Sequence, residues 1–255
     1  MAEVEVTRDG AVQTITFNRP DKMNAFNRAL HSGLREALKE ARDPEVRSVV
    51  ITGAGRAFNA GQDLTEFADT PDIGDALRGT YHPNVLAVRE LEKPVIAAVN
   101  GACAGAGLSF ACACDIRIAA DVASFVPGFI GIGLIPDAGG SYFIHRILGA
   151  ARAFEWMTSN RRLTAAEAHA WGLVSEVVEA DALQARAAEL AAFYAAMPTR
   201  GAGMTKRLFD HADTATLEEQ LELEAQLQAA ATQTADFREG VQAFLEKRPP
   251  EFKGR

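Results

Sequence analysis

Short apolar runs open the chain and give way to apolar residues spaced three and four apart. Val4, Val6, Val12, Ile15 and Phe17 fall on either side of Asp9-Gly10. That dipeptide accepts the positive φ of a tight turn, so the pattern predicts an opening β-hairpin. Leu30, Leu34, Ala37, Leu38 and Ala41 then recur at helical spacing, which predicts a helix over about 27–41. An apolar run from Val46 to Thr52, closed by Gly53-Ala54-Gly55, reads as a buried strand. The succession returns with a helix at about 74–91, the apolar strand Val95–Val99, and a Gly/Ala-rich segment leading into another helix. Strands alternating with helices imply crossover connections and a largely parallel sheet covered on its faces, an α/β fold.

After Asp137 the pattern is almost entirely helical, with short runs such as Leu173-Val174 and Val177-Val178 between helices. Met197-Pro198 marks the start of a separate helical region, because proline is tolerated where a helix opens and not inside one. The chain thus divides into a core over 1–196 and a C-terminal region over 197–255. There, Leu217, Leu221 and Ala225 form one stripe, and Phe237, Val241, Phe244 and Leu245 another. Such stripes pack on a partner subunit or fold back onto the core, and the pattern leaves both open. No internal repeat is visible in the residues.

Composition narrows the function classes. The chain has 255 residues, 48% hydrophobic and 24% charged, with a formal net charge of -8. This balance argues against nucleic acid or an anionic membrane as partner, since both need a concentrated basic face. Any polyphosphate ligand must be held by local groups. Cys103, Cys112 and Cys114 lie in a run of small apolar residues, which suits buried, reduced thiols. A zinc site is the weaker alternative, without a nearby His or a paired CxxC, and no metal is expected. The acidic start MAEVEVTRDG lacks an apolar signal core and no long apolar span follows, so a cytoplasmic enzyme is the expectation.

Three segments look unlike plain scaffold. In Arg56 to Leu64, a strand and glycine loop run into a helix start at Asp63, which reads either as a capped turn or as free N–H groups facing an anion. In Asn100 to Ser109, small residues directly follow a buried strand and allow close backbone approach to a helix or a ligand. Two such loops can each offer one N–H to a single oxygen, the arrangement that stabilises an enolate. In Phe125 to Ser141, Asp137 is the only carboxylate in an apolar, glycine-rich stretch. Burial there raises its pKa and makes it a candidate acid–base, against the alternative of an N-cap for a helix starting at Ala138.

Asn18-Arg19-Pro20 with Asn24-Ala25, Ala57 to Leu64, Lys93-Pro94 with Ala97 to Gly101, Cys114-Asp115, Ile135-Pro136 with Ala138-Gly139-Gly140, and Ala168 with Gly172-Leu173-Val174 occur in one order. Together they resemble the crotonase (enoyl-CoA hydratase/isomerase) superfamily along essentially the whole chain. The resemblance implies a spiral core of repeated ββα turns and a helical C-terminal trimerisation region, with a homotrimer or a dimer of trimers. It also implies an oxyanion hole from the backbone N–H groups of Gln62 and Ala106, where alanine replaces a more usual glycine. Coenzyme A, present only as part of a substrate thioester and not as a resident cofactor, is expected along Lys22, Met23 and Ala25 and along Ala60, Gly61, Gln62, Asp63 and Leu64. Lys247 is expected near phosphate charge, in some relatives from a neighbouring subunit.

The resemblance also bears on the reaction. Typical hydratases use two glutamates, and the matching positions here are Ser109 and Phe129, neither able to move protons at neutral pH. Asp137 remains, as in ring-1,2-epoxyphenylacetyl-CoA isomerase-like members, which the chain resembles at Gly105-Ala106-Gly107, Gly128-Phe129, Ile132 to Asp137 and Phe237 to Val241. An isomerase is therefore expected over a hydratase, with Tyr81, His82, Gly107, Ser109, Phe129 and Ile132 lining the substrate pocket. Aryl-CoA dehalogenases are similar at Asp137 and His82, but their indole donor is Phe129 here. A non-catalytic acyl-CoA binder and an RNA-binding homologue complete the alternatives, the last opposed by the net charge of -8.

Overall fold

The computed structural model describes residues 2–67 and 72–255. β1 (Val4–Asp9) and β2 (Val12–Phe17) form the expected antiparallel hairpin. Its turn is one residue later than Asp9-Gly10, because Asp9 pairs with Val12 and only Gly10 carries a positive φ of 55°. The predicted helix at 27–41 runs from Arg28 to Glu40, with Asn27 as N-cap accepting from Leu30 N. β3 (Ser48–Gly53), β4 (Ala57–Asn59), β5 (Val95–Val99), β6 (Ala102–Ala104), β7 (Ile116–Ala120) and β8 (Ser124–Val126) follow in three pairs. The first member of each pair joins one sheet and the second joins another. β9 (Leu163–Thr164) and β10 (Glu176–Val178) finish the sheets, whose orders are β1-β2-β3-β5-β7-β10 and β4-β6-β8-β9.

This is the ββα spiral. It repeats in space what the residues do not repeat in sequence. β3, β5 and β7 run parallel in adjacent register, Val49 opposite Val95 and Ile96 opposite Ile116. Successive side chains of a strand point to opposite faces, so both faces must be covered. Val49, Ile51, Val95, Ala97 and Val99 enter the main core. Val50, Ile96, Ala98, Ile118 and Ala120 pack with Leu183, Ala187 and Ala191 of the helix Leu183–Ala196. Cys103, Cys112 and Cys114 are free and buried in the main core, as expected for packing thiols.

One expectation needs correction. The helix placed at 74–91 is three pieces: Ile73–Ala76, a π-helical turn Leu77–Tyr81, and His82–Glu90. Pro83 has no N–H to return to the preceding turn. The carbonyl of Gly79 instead accepts from Arg35 at 2.9 Å, and His82 N reaches back to Leu77 O. Of the two short apolar runs between the later helices, Leu173-Val174 is a buried bend, and Val177-Val178 lies in Glu176–Val178, which pairs with β7. Past Pro198 the chain forms helices Thr199–Ala212, Leu217–Ala231 and Ala235–Glu246. Leu217, Leu221, Phe244 and Leu245 are all more than half exposed on the single chain.

The second sheet ends against the helix Ala106–Ala113, whose backbone lies close to β4. A β-carbon at Gly107 would collide with the Asn59 carbonyl and side-chain amide, so only glycine fits. Gly107→Ala is expected to lower unfolding free energy by roughly 1–3 kcal/mol through overpacking. Gly79→Ala, where a β-carbon meets nothing within 4 Å, is the control. Urea midpoints at constant m measure both, with loss expected only for the first.

Candidate active site

Two asparagines assemble the loops around the site. Met23 and Asn24 adopt left-handed backbone conformations, φ 51° and 57°. Asn24 stays there because its side chain is consumed: Oδ1 accepts from Arg19 N, and Nδ2 donates to the carbonyls of Ala54 and Ala57. Asn59 Nδ2 donates to Asn24 O at 2.6 Å, and its Oδ1 accepts from Gly61 N at 2.8 Å. Ala60 N donates to Met23 O, Phe26 N to Gly61 O, and Asp63 N to Phe26 O. The turn carrying Lys22, Met23 and Ala25 is thereby zipped to Ala60, Gly61, Gln62, Asp63 and Leu64, uniting the residues expected along coenzyme A.

Asp63 does what a cap does. Its Oδ1 accepts from Thr65 N and Thr65 Oγ1, and its Oδ2 pairs with Arg19 at 3.0 Å. The Thr65 hydroxyl and the Arg19 guanidinium hold its carboxyl below the ordinary value. With the amides at 60, 61 and 63 committed, Gln62 N–H has no acceptor among the described residues. Ala106 N–H, at the first position of its helix, has no intrahelical partner either. The two stretches meet at Gly61, whose φ is 92° and where a β-carbon would lie 3.5 Å from Ala106 N.

Beside them lies a cavity of about 370 Å³ lined by Gln62, Tyr81, Asp137, His31, Thr80 and Leu77 among others. Asp137 stands before a left-handed pair, Ala138 at φ 49° and Gly139 at 83°. The following helix begins at Gly140 with Gly139 as N-cap, not at Ala138, so Asp137 does not cap it. Its Oδ1 is buried without a hydrogen-bond partner, and burial pushes its carboxyl up to about 6. Tyr81 donates to Gln62 Oε1 at 2.6 Å; burial, then the Asp137 charge, push its phenol well up, keeping it neutral.

Several expected pocket residues lie elsewhere. His82 is exposed, one helical step round from the inward Tyr81. Gly107 packs on Asn59, and Ser109 is fully buried beneath Gly140, its Oγ 3.4 Å from Gly105 O. Phe129 is buried outside the cavity lining, and Ile132 is exposed in the turn Ile130–Ile132. Lys247 is exposed at the end of the last helix, in a left-handed conformation and away from the cavity lining.

The sequence reading missed His31. It shares a helix face with Leu34 and Leu38, a spacing that signals burial. Its ring stacks on Phe26 at 4.7 Å and meets Tyr81 edge to face at 4.2 Å. Burial, aided by Arg35, lowers its pKa to about 4. Among the described residues no cluster of His, Cys, Asp and Glu could hold a metal ion, and no helix is long and apolar enough to cross a membrane.

A two-layered ββα spiral with a buried carboxyl beside two closely approaching backbone stretches defines the class, and the chain belongs to the enoyl-CoA hydratase/isomerase family, whose profile matches residues 7–255. It is 44% identical to the 1,2-epoxyphenylacetyl-CoA isomerase of Escherichia coli (strain K12), over 96% of this chain and 95% of that one. It is 36% identical to 4-chlorobenzoyl coenzyme A dehalogenase-2 of an Arthrobacter species, over 96% and 91%. The solved enoyl-CoA hydratase of Bacillus anthracis superposes with a TM-score of 0.93 at 34% identity, covering 99% of this chain and all of that one.

The two displaced groups act oppositely on stability. Asp137, at about 6 instead of 3.8, binds an extra proton in the folded state; its contribution is full below pH 4 and lost as pH rises through 6. His31, at about 4 instead of 6.5, contributes above pH 6.5 and loses this as pH falls through 4. Each displacement corresponds to roughly 3 kcal/mol. Asp137→Asn should therefore lose stability relative to wild type between pH 7 and 4, and His31→Phe should gain it. Urea unfolding of the three proteins across that range measures this; parallel curves would refute both shifts.

Proposed function

We propose that the chain is an acyl-CoA isomerase that moves a double bond through an enolate, with Asp137 as the single acid–base. The observation that carries this reading is the buried Asp137 carboxyl, its Oδ1 without a partner and its pKa raised to about 6, sharing one cavity with Gln62. A base of that pKa is mostly ionised at neutral pH and returns a proton readily. For a 3-enoyl thioester, Asp137 removes a proton from C2 and the electron pair moves to the thioester oxygen. The N–H groups of Gln62 and Ala106 hold that oxygen. The proton then returns at C4, the electrons return from oxygen, and the double bond lies between C2 and C3.

Hydration by two carboxylates is disfavoured, because Ser109 is buried against Gly140 and Phe129 carries no ionisable group. The coenzyme A moiety is assigned to the groove between Lys22, Met23, Ala25 and Ala60 to Leu64, which backbone hydrogen bonds join. Lys247 serves phosphate charge from a neighbouring copy, since on its own chain it stands away from the cavity lining. A homotrimer also gives the exposed Leu217, Leu221, Phe244 and Leu245 a partner surface.

Asp137→Asn is expected to lower kcat for 3-enoyl to 2-enoyl conversion by about 10²–10⁴. In the wild type, kcat/KM should fall tenfold per pH unit below about 6 as the carboxylate is protonated. Unchanged turnover in the variant removes Asp137 from the chemistry. Absent turnover in the wild type with retained thioester binding identifies a binder instead, and crotonyl-CoA hydration at a comparable rate overturns the exclusion of hydratase chemistry.

A further inference from the structure

Several of the side-chain donors lining the cavity are committed within the protein. Asn27 donates to Glu3, Thr80 Oγ1 to Ala76 O, Tyr81 to Gln62, and Gln62 Nε2 to Asp63 O. Besides the Gln62 N–H and the Arg28 guanidinium, His31 Nε2 stands apart: it is buried without a partner, in a residue only 5% exposed that lines the cavity.

Its proton can be assigned. Asn84 Nδ2 donates to the backbone carbonyl of His31 at 3.1 Å, and a carbonyl only accepts, which fixes the orientation of the Asn84 amide. The same Nδ2 lies 3.2 Å from His31 Nδ1, which must therefore be the acceptor. The hydrogen of the neutral ring sits on Nε2. Phe26 against one face and Tyr81 across the edge hold the ring in place. Asn84 is itself 1% exposed, so the tautomer is set by a buried partner.

We propose that His31 is a specificity residue whose Nε2–H receives a hydrogen-bond-accepting oxygen carried by the acyl group, such as an ether or epoxide oxygen. The cavity then takes oxygen-bearing acyl thioesters in preference to all-carbon thioesters of the same length. A buried donor that an all-carbon chain leaves unpaired gains a hydrogen bond from the oxygen of the matched ether chain. This inference rests on the acyl-CoA isomerase reading, which supplies the thioester that enters the cavity.

The test uses 3-enoyl-CoA thioesters matched in length, with one distal methylene replaced by an ether oxygen at each of several positions. For at least one oxygen position, the wild type should favour the ether substrate in kcat/KM. His31→Phe should reduce that ratio about tenfold or more. His31→Gln, which keeps an N–H donor, should restore part of it. An unaltered ratio in folded His31→Phe overturns the proposal, because a purely structural role lowers both substrates alike. If no 3-enoyl thioester turns over, the isomerase reading fails separately, and the ratio of dissociation constants for the saturated pair decides the role of His31. Should His31→Phe not fold, the wild-type Nε2–H resonance decides: it should shift with the saturated ether thioester and not with its all-carbon partner, and equal responses overturn the proposal.

Discussion

Backbone meets backbone where the 59–62 stretch passes the 104–107 stretch, and the rest of the site depends on that approach. Gly107 leaves room for the Asn59 carbonyl, and Gly61 turns at φ 92° against Ala104 and Ala106. Asn59 then holds its own loop by accepting from Gly61 N and grips the neighbouring turn through Asn24 O. Once those amides are used, the N–H of Gln62 is left over. The proposed oxyanion donors are therefore a by-product of how the chain satisfies its neighbouring polar groups. Bulkier residues at 61 or 107 would separate the loops before any ligand was involved.

The electrostatics of the cavity follow from its burial. Desolvation penalises charge of either sign, raising Asp137 to about 6 and lowering His31 to about 4. Their opposite displacements overlap in pH, so their contributions to the pH dependence of stability largely cancel in the wild type. Tyr81, held neutral by burial and by the Asp137 charge, occupies itself with Gln62. Burial with a neutral Tyr81 beside it leaves the Asp137 carboxylate able to take up a proton near neutral pH.

The fold was largely legible because buried strands such as Val95–Val99 and the stripe Leu30, Leu34, Leu38 state their environment directly. The paired short strands β4, β6 and β8 were less visible, since three residues of Ala, Cys, Phe or Ser carry no periodicity. In the site, Asp137 was found because a lone carboxylate contradicts its apolar surroundings. His31 contradicts its stripe in the same way, yet a histidine among leucines is ordinarily a packing residue, and only its unpaired Nε2 distinguishes it. His82 illustrates the converse case: resemblance alone carried it to the pocket, and after the π turn ending at Tyr81 its side chain is exposed. Helical spacing alone cannot anticipate that change of phase, because it arises from the hydrogen bond that Pro83 cannot make.

Backbone donors make the scaffold tolerant of different chemistry, since side chains can change around them without removing them. Relatives named as a hydratase, an isomerase and a dehalogenase share this fold with the chain. Tolerance has a local limit here. Ser109 lies in the helix Ala106–Ala113 with its hydroxyl against Gly140, at a point where Gly140 itself has no room for a β-carbon. A longer acidic side chain at 109 would need the helix Gly140–Leu148 to withdraw, and that helix follows directly from the turn that sets Asp137. A glutamate at 109 and the observed placement of Asp137 therefore compete for the same packing. The serine at 109 and the turn that buries Asp137 are, on this reasoning, one structural choice.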